Sequence, residues 1–349
     1  MIQEIHDTLS LAMKERALDW RSCFTEVHAE PPGGRRIVVE CTDRGVLDVA
    51  QRRLATVVVP GGPELEFTLL PEPGLKREDV VLASNSVVDV RRSPSHAAEL
   101  VTQVIYGDRV APLKAEGDWV LVRLDDFYIG WVRSWHLKWL SREAYDAFDR
   151  GAGHRVESNL VQIYESPDES SLPVTDAVVG TPVVLTPSDR RGWRRLALPD
   201  GRSGFAHSKD FTRRRVPRRI LPGSLEKVGL RFLGIPYTWG GTTPKGFDCS
   251  GLVQRILRLH GIVIPRDSDQ QALIGRSKPT GRIDDLRTGD LLFFGKPDQK
   301  IHHVAMYLHE GLFLHARGEV RVNALVESHP LFDRALLAEW RTTRDVLTK

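Results

Sequence analysis

The sequence predicts an α+β chain in which two small all-β barrels precede a C-terminal domain of helix and sheet. Three observations predict it. A block of short alternating strands and turn signals occurs twice in the middle of the chain, at an offset of 73 to 74 residues. The segment "GFDCSGLVQRILRLHG" (246–261) sets a cysteine directly in front of an amphipathic helix. After it, "GDLLFFGKPDQKIHHVAMYLHEGLFLHARG" (289–318) alternates apolar strand residues around His302, His303, His309 and His315.

Composition bounds the possibilities. A chain of 349 residues has room for two or three domains, and 41% hydrophobic against 27% charged residues suits ordinary buried cores. The formal net charge of +3 is close to balanced, and the one dense basic run, "RRRVPRR" (213–219), reads as a solvated linker rather than a nucleic-acid footprint. No apolar run approaches the roughly 20 residues that cross a bilayer. The opening "MIQEIHDTLSLAMKERALDW" lacks the cationic-then-apolar order of a signal peptide, and Ile2, Ile5, Leu9, Met13 and Ala17 recur at helical spacing. The expectation is a cytoplasmic monomer without nucleic-acid or membrane partners; a leader already removed would make it an exported protein. Cys23, Cys41 and Cys249 make neither a disulfide framework nor a CxxC metal pair, and no metal or other cofactor is expected.

Residues 1–83 hold the opening helix, two strand-like runs ("RRIVVEC" and "LATVVV") and a Gly/Pro-rich tail. They read as a lobe leaning on the first barrel. The repeat follows. "GDWVLVRLDDFYIGWVRSWHL" (117–137) aligns without gaps to "RGWRRLALPDGRSGFAHSKDF" (191–211), matching Trp119 to Trp193 and Gly130 to Gly204. "SNSVVDVRRSP" (84–94) likewise matches "SNLVQIYESP" (158–167). Ser-Pro, Gly-Asp and Asp-Gly turns separate the strands of each unit. The barrels are expected over 84–140 and 152–212, joined by a helical patch near "SREAYDAFDRG" (141–151). The last domain takes 220–349.

Within that domain, Gly246 and Asp248 supply turn and cap chemistry. Leu252, Val253, Ile256, Leu257 and Leu259 form a stripe, and Gly261 suits the C′ position. Cys249 thus opens a buried helix, whose N-terminal dipole favours a thiolate and whose N–H groups suit an oxyanion. From this segment alone a buried structural cysteine is the commoner reading, since free cysteine is among the most buried residue types. The hairpin decides which histidines cooperate. A three-residue loop, His309–Gly311, puts Ala305 opposite His315 and leaves His303 and His315 on one face, whereas a two-residue loop separates them. In the first register His303 is the general base and His315 its orienting partner. His302 then points to the other face, His309 sits exposed in the turn, and no metal-ligand spacing supports a zinc site.

"GIPYTWGGTTPKGFDCSGLVQ", "IPRDSDQQ", "LRTGDLLFF" and "HHVAMYLHEGLFLHA" together resemble the NlpC-type family of papain-like cell-wall cysteine peptidases. The units upstream, with a Trp opening one strand and Gly-aromatic the next, resemble bacterial SH3-like barrels. The resemblance implies a papain-like C-terminal domain with Cys249 as nucleophile, His303 as base, His315 as orienting residue and Tyr237 beside the oxyanion. SH3-like barrels ahead of an NlpC-type domain resemble the γ-D-glutamyl-L-diamino acid endopeptidases, dipeptidyl-peptidase VI-like enzymes. These cut murein peptides after L-Ala-γ-D-Glu and require its free amine. Carried across, Tyr128 and Glu99 of the first barrel select that amine, Asp248 can pair with it, and Ser250 and Ser268 can bind the γ-D-Glu. Asp248 reads equally as a helix N-cap, and the two serines as ordinary helix-start residues.

The implied function is a cysteine peptidase that cleaves murein stem peptides with a free N-terminal L-Ala during cell-wall recycling, the barrels gating the substrate. Two other readings stay open: an exported hydrolase of intact peptidoglycan, and a non-catalytic protein that binds cell-wall peptides. An amidase or acyltransferase could use the same dyad on another amide.

Overall fold

The computed structural model describes residues 1–32, 34–55, 62–75, 79–214 and 220–348. Residues 56–59 of the expected strand "LATVVV" and 215–219 of the basic run lie outside the described residues. Among those described, no helix is long and apolar enough to cross a membrane.

The N-terminal lobe is a small α/β unit. Helix Ile2–Glu15 buries Ile5, Leu9, Ala12 and Met13, one stripe of its circumference. Strands Thr25–Glu30 and Arg36–Cys41 pair antiparallel, and Arg36–Cys41 pairs parallel with Glu64–Leu69. Helix Arg44–Leu54 lies in the connection that the parallel pair requires, N-capped by Asp43 accepting from the Val46 N–H.

Both barrels follow, and they are the same barrel twice. The first uses strands Val80–Ala83, Val87–Arg91, Leu100–Ile105, Arg109–Glu116, Trp119–Arg123, Ile129–Arg133 and Leu137–Leu140. The second uses His154–Val156, Leu160–Tyr164, Pro173–Val178, Pro182–Pro187, Trp193–Ala197, Ser203–His207 and Phe211–Arg213. Taken in chain order within each unit, the spatial order is seventh, first, fourth, fifth, sixth, second, third in both. Every strand start is displaced by 73 or 74 residues from its counterpart, the offset read in the sequence. The first barrel's sheet begins at Val80, four residues before the expected boundary at 84. The matched glycines have one shared cause. A Cβ on Gly130 would lie 2.5 Å from Val90 Cγ1, and one on Gly204 2.6 Å from Ile163 Cγ2, because a neighbouring strand crosses there at van der Waals distance.

The C-terminal domain packs helix Cys249–Leu259 on a six-stranded antiparallel sheet whose order is Arg276–Lys278, Trp340–Asp345, Leu291–Phe294, His303–Tyr307, Leu312–Arg317, Glu319–Ala324. Leu252, Val253, Ile256 and Leu257 share a core with Val304, Met306 and Leu314 of the sheet. Burial does not stop at that stripe. Gln254 and Arg255 are also buried, because the barrels dock on the helix's polar side. Gln254 donates to Asp126 (2.9 Å), Arg258 pairs with Asp125, and Arg155 of the second barrel donates to the Leu259 carbonyl (2.7 Å). The barrels therefore hold the helix that carries Cys249 from the side opposite the sheet.

Candidate active site

Asp248 caps the helix, accepting from the Gly251 N–H at 2.7 Å, so Cys249 occupies its first turn. The thiol is buried and shares the domain core with Val304, whose backbone N–H, like that of Ser250, favours its ionised form. Val304 follows His303 on the neighbouring strand, which brings the imidazole strand against the thiol. Burial, then the Asp248 charge, push the Cys249 thiol up to about 12, outweighing those N–H groups and Arg266. Burial also pulls His303 down to about 3. Both shifts favour the neutral thiol and the neutral imidazole, against the pull of the helix N-terminus toward a thiolate.

The hairpin between the two histidine strands has the three-residue loop. Leu308 donates to the Leu312 carbonyl at 2.9 Å, with Gly311 at φ +80°. Met306 pairs with Leu314, which continues to Ala305 level with His315. His303 Nε2 and His315 Nδ1 lie 2.8 Å apart, and His315 Nε2 lies 3.0 Å from Asn323 Oδ1. The Asn323 amide is itself oriented by donation from Nδ2 to the Leu331 carbonyl, 3.1 Å.

That chain fixes both tautomers. Asn323 Oδ1 only accepts, so His315 carries its proton on Nε2 and accepts at Nδ1. His303 must then donate from Nε2, which leaves its Nδ1 unprotonated and basic. Burial pulls His315 down to about 4 although Asn323 pushes it the other way, so this neutral chain is the resting state. His302 is half exposed at the rim of the cavity over Cys249, with Nε2 3.2 Å from Glu339. His309 is half exposed in the turn, 3.1 Å from Glu226.

A cavity of about 350 Å³ opens over the sulfur. Its lining brings together Cys249, Tyr237, Asp248, Ser250 and Ser268 with Glu99 and Tyr128 of the first barrel, so all the sequence-expected contacts except the two histidines border one space. Burial and the nearby Cys249 and Asp248 hold the Tyr237 hydroxyl protonated, so it is available as a donor. Tyr128 is likewise raised by burial and donates to Asp267 Oδ2 at 3.3 Å. Glu99 is exposed to the cavity and accepts from Trp239 Nε1 at 2.9 Å. A second cavity, about 320 Å³, lies beyond Tyr237 and His303 and is lined by Arg317 and Glu339 among others.

Asp248 departs from its expected role as a contact for a substrate amine. Its Oδ2 accepts from the Gly240 N–H (2.9 Å) and from Arg266 Nη2, and its Oδ1 from Gly251, Ser250 Oγ and Arg266 Nη1. With about four lone-pair sites on a carboxylate, none is left over. Arg266 also donates to Ser250 Oγ at 2.7 Å, tying that hydroxyl into the same buried network. The cavity's accessible acids are Glu99, Asp267 and Asp269. Sequence reasoning missed Asp267, although it stands beside Ser268 in "PRDSDQQ". It also missed Asn323, whose signal was a lone amide in the strand "EVRVNA", and Trp20 and Arg21, which reach the cavity from the N-terminal lobe.

Residues 234–341 match the NlpC/P60 family, and residues 90–137 match the bacterial dipeptidyl-peptidase Sh3 domain. A γ-D-glutamyl-L-lysine dipeptidyl-peptidase of Bacillus cereus is 32% identical over 266 residues, covering 72% of this chain and 77% of the relative. One of Bacillus subtilis is 30% identical over 251 residues, covering 68% and 79%. The crystal structure of an NlpC/P60 family protein from Bacillus cereus superposes with a TM-score of 0.66 at 25% identity, covering 77% of this chain and all of the other.

Proposed function

The chain belongs to the NlpC/P60 family of peptidases, and from that premise we propose that it cleaves the γ-D-glutamyl–L-diamino acid bond of murein peptides, releasing L-Ala-γ-D-Glu. The observation that carries the reading is the proton chain Asn323–His315–His303, which leaves a basic nitrogen on His303, at the start of the strand that packs against the Cys249 helix. In this reading Cys249 attacks the γ-carbonyl while its proton passes to His303 Nδ1. The oxyanion is held by N–H groups at the sulfur and by the Tyr237 hydroxyl. Collapse breaks the C–N bond, His303 returns the proton to the leaving amine, and water attack on the thioester then restores the thiol.

The acids support the choice of substrate end. An ammonium entering this cavity loses part of its hydration and needs charged acceptors to offset it. Glu99 and Asp267 supply them, Tyr128 holding Asp267 at its Oδ2. A murein peptide still bound to sugar has an amide there and no charge, so these acids favour free stem peptides over intact wall. Ser268 opens the short helix Ser268–Gln271 on the same wall, suited to the α-carboxylate of γ-D-Glu. The diamino acid then lies toward Arg317 and Glu339, which offer it both signs of charge. All of these groups come from one chain, so a monomer suffices. Free stem peptides point to a recycling step in the cytoplasm. The test is product analysis by mass spectrometry with L-Ala-γ-D-Glu-diaminopimelate. Release of L-Ala-γ-D-Glu by the wild type and none by Cys249→Ala is expected; cleavage at another bond would refute the reading.

A further inference from the structure

We propose that the turn Asp19–Ser22 of the N-terminal lobe is a third wall of the catalytic cavity, in which Trp20 closes the amine end and Arg21 positions the Asp267–Asp269 segment. The inference rests on the reading of this cavity as the site of an amine-terminal dipeptide. The turn lies outside both matched family segments.

The local sequence "LDWRSC" builds a rigid tip. The Asp19 carbonyl accepts from the Ser22 and Cys23 N–H groups, and Asp19 Oδ1 accepts from the Arg21 N–H at 2.9 Å. On the lobe side, Cys23 is buried in the core. On the barrel side, the Arg21 carbonyl accepts from Ile129 N–H at 2.7 Å, one residue past Tyr128. The next aromatic, Phe24, packs edge-on against Trp131. The tip is thus pinned from both directions.

Its two side chains then reach the site. Trp20 stands edge-on to Tyr128 (centroids 5.8 Å apart), with the Arg92 guanidinium over its ring, and keeps 36% of its surface exposed. It is fixed next to the residue that holds Asp267, where a chain extended past the first residue has to pass. Arg21 Nη1 donates to Asp267 Oδ2 (3.0 Å) and Asp269 Oδ1 (2.7 Å), while Nη2 donates to Asp269 Oδ2 (3.1 Å). Its planar fork spans the two acids that flank Ser268, which a single ammonium does not reproduce. Asp19, Asp267 and Asp269 against Arg21 and Arg92 still leave this wall net anionic by one charge, so the clamp orders the acids without cancelling their pull on an ammonium.

The experiment compares kcat/KM for L-Ala-γ-D-Glu-X and Gly-L-Ala-γ-D-Glu-X, where X is the better cleaved of lysine and diaminopimelate, in wild type, W20A, W20F, R21Q and R21K. The wild type should disfavour the extended peptide at least about 100-fold, and W20A should narrow that ratio about tenfold, the scale of a large-to-small aromatic truncation, while W20F keeps most of it. R21Q should raise KM for the short peptide about tenfold with kcat within about threefold, and R21K should recover only part of the loss. W20A cleaving the short peptide normally with an unchanged ratio overturns the role of Trp20. Unchanged KM in R21Q overturns that of Arg21. A wild type that cleaves neither peptide overturns the proposed function and this inference with it.

Discussion

Replacing Asn323 with leucine tests the proton chain at the point farthest from the substrate. The side chain is nearly isosteric, so the change is chemical rather than a matter of volume. It removes the only acceptor recorded for His315 Nε2–H, on a ring that is fully buried. Leaving that donor unsatisfied costs about 1–3 kcal/mol. His315 can escape the cost by moving its proton to Nδ1, but it then donates to His303 Nε2 and forces the His303 proton onto Nδ1. That nitrogen is the one that must accept from Cys249. The productive tautomer thus loses about 1–3 kcal/mol of its preference, which at about 1.4 kcal/mol per tenfold predicts a kcat lower by about 5- to 140-fold. KM should stay within about threefold, because Asn323 does not border the dipeptide cavity. Steady-state kinetics read the split, and nitrogen-15 imidazole shifts read the tautomer. A folded Asn323→Leu enzyme with wild-type kcat would refute the tautomer argument.

Other consequences are equally direct. Arg266 is 1% exposed and its Asp248 partner nearly as buried, so Arg266→Met should cost about 3–5 kcal/mol in denaturant unfolding by stranding the carboxylate. Asp248→Asn combined with Arg266→Met should recover a large part of that; a single Arg266→Met within about 1 kcal/mol of wild type contradicts the ion-pair account. Because the Cys249 thiol is pushed up to about 12 and His303 down to about 3, iodoacetamide alkylation of the substrate-free enzyme should keep accelerating from about pH 6 to 10. A plateau already reached at pH 6 would mean a resting thiolate–imidazolium pair. The same depression places the acid limb of kcat/KM due to His303 far below its ordinary range, since the base of the free enzyme stays unprotonated until the pH approaches about 3.

Local signals in the sequence carried a large part of this. The barrel repeat was legible because its turn residues and close-packed glycines recur at one offset, and the same offset returns in every strand. The hairpin register was legible because Gly311 can take the left-handed conformation that a three-residue loop needs. What stayed hidden depends on partners that spacing does not encode. Asp248 looked like a free contact beside the nucleophile until Arg266, 18 residues on, was seen to fill it. Asn323 meets His315 only through the pairing of adjacent strands. Arg21 reaches Asp267 across 246 residues, through a lobe whose sequence shows no catalytic motif. The helix stripe was visible, but the burial of Gln254 and Arg255 required the barrels to be in place.

The central claim is that the enzyme reads a free amine through Glu99, Asp267 and Tyr128 while Cys249 acts on the γ-glutamyl bond. The direct measurement is kcat/KM for L-Ala-γ-D-Glu-diaminopimelate against its N-acetylated form. Loss of one charge-assisted contact in the cavity, about 1.5–3 kcal/mol, predicts a drop of about 10- to 100-fold on acetylation. Equal rates for the two peptides would contradict the account.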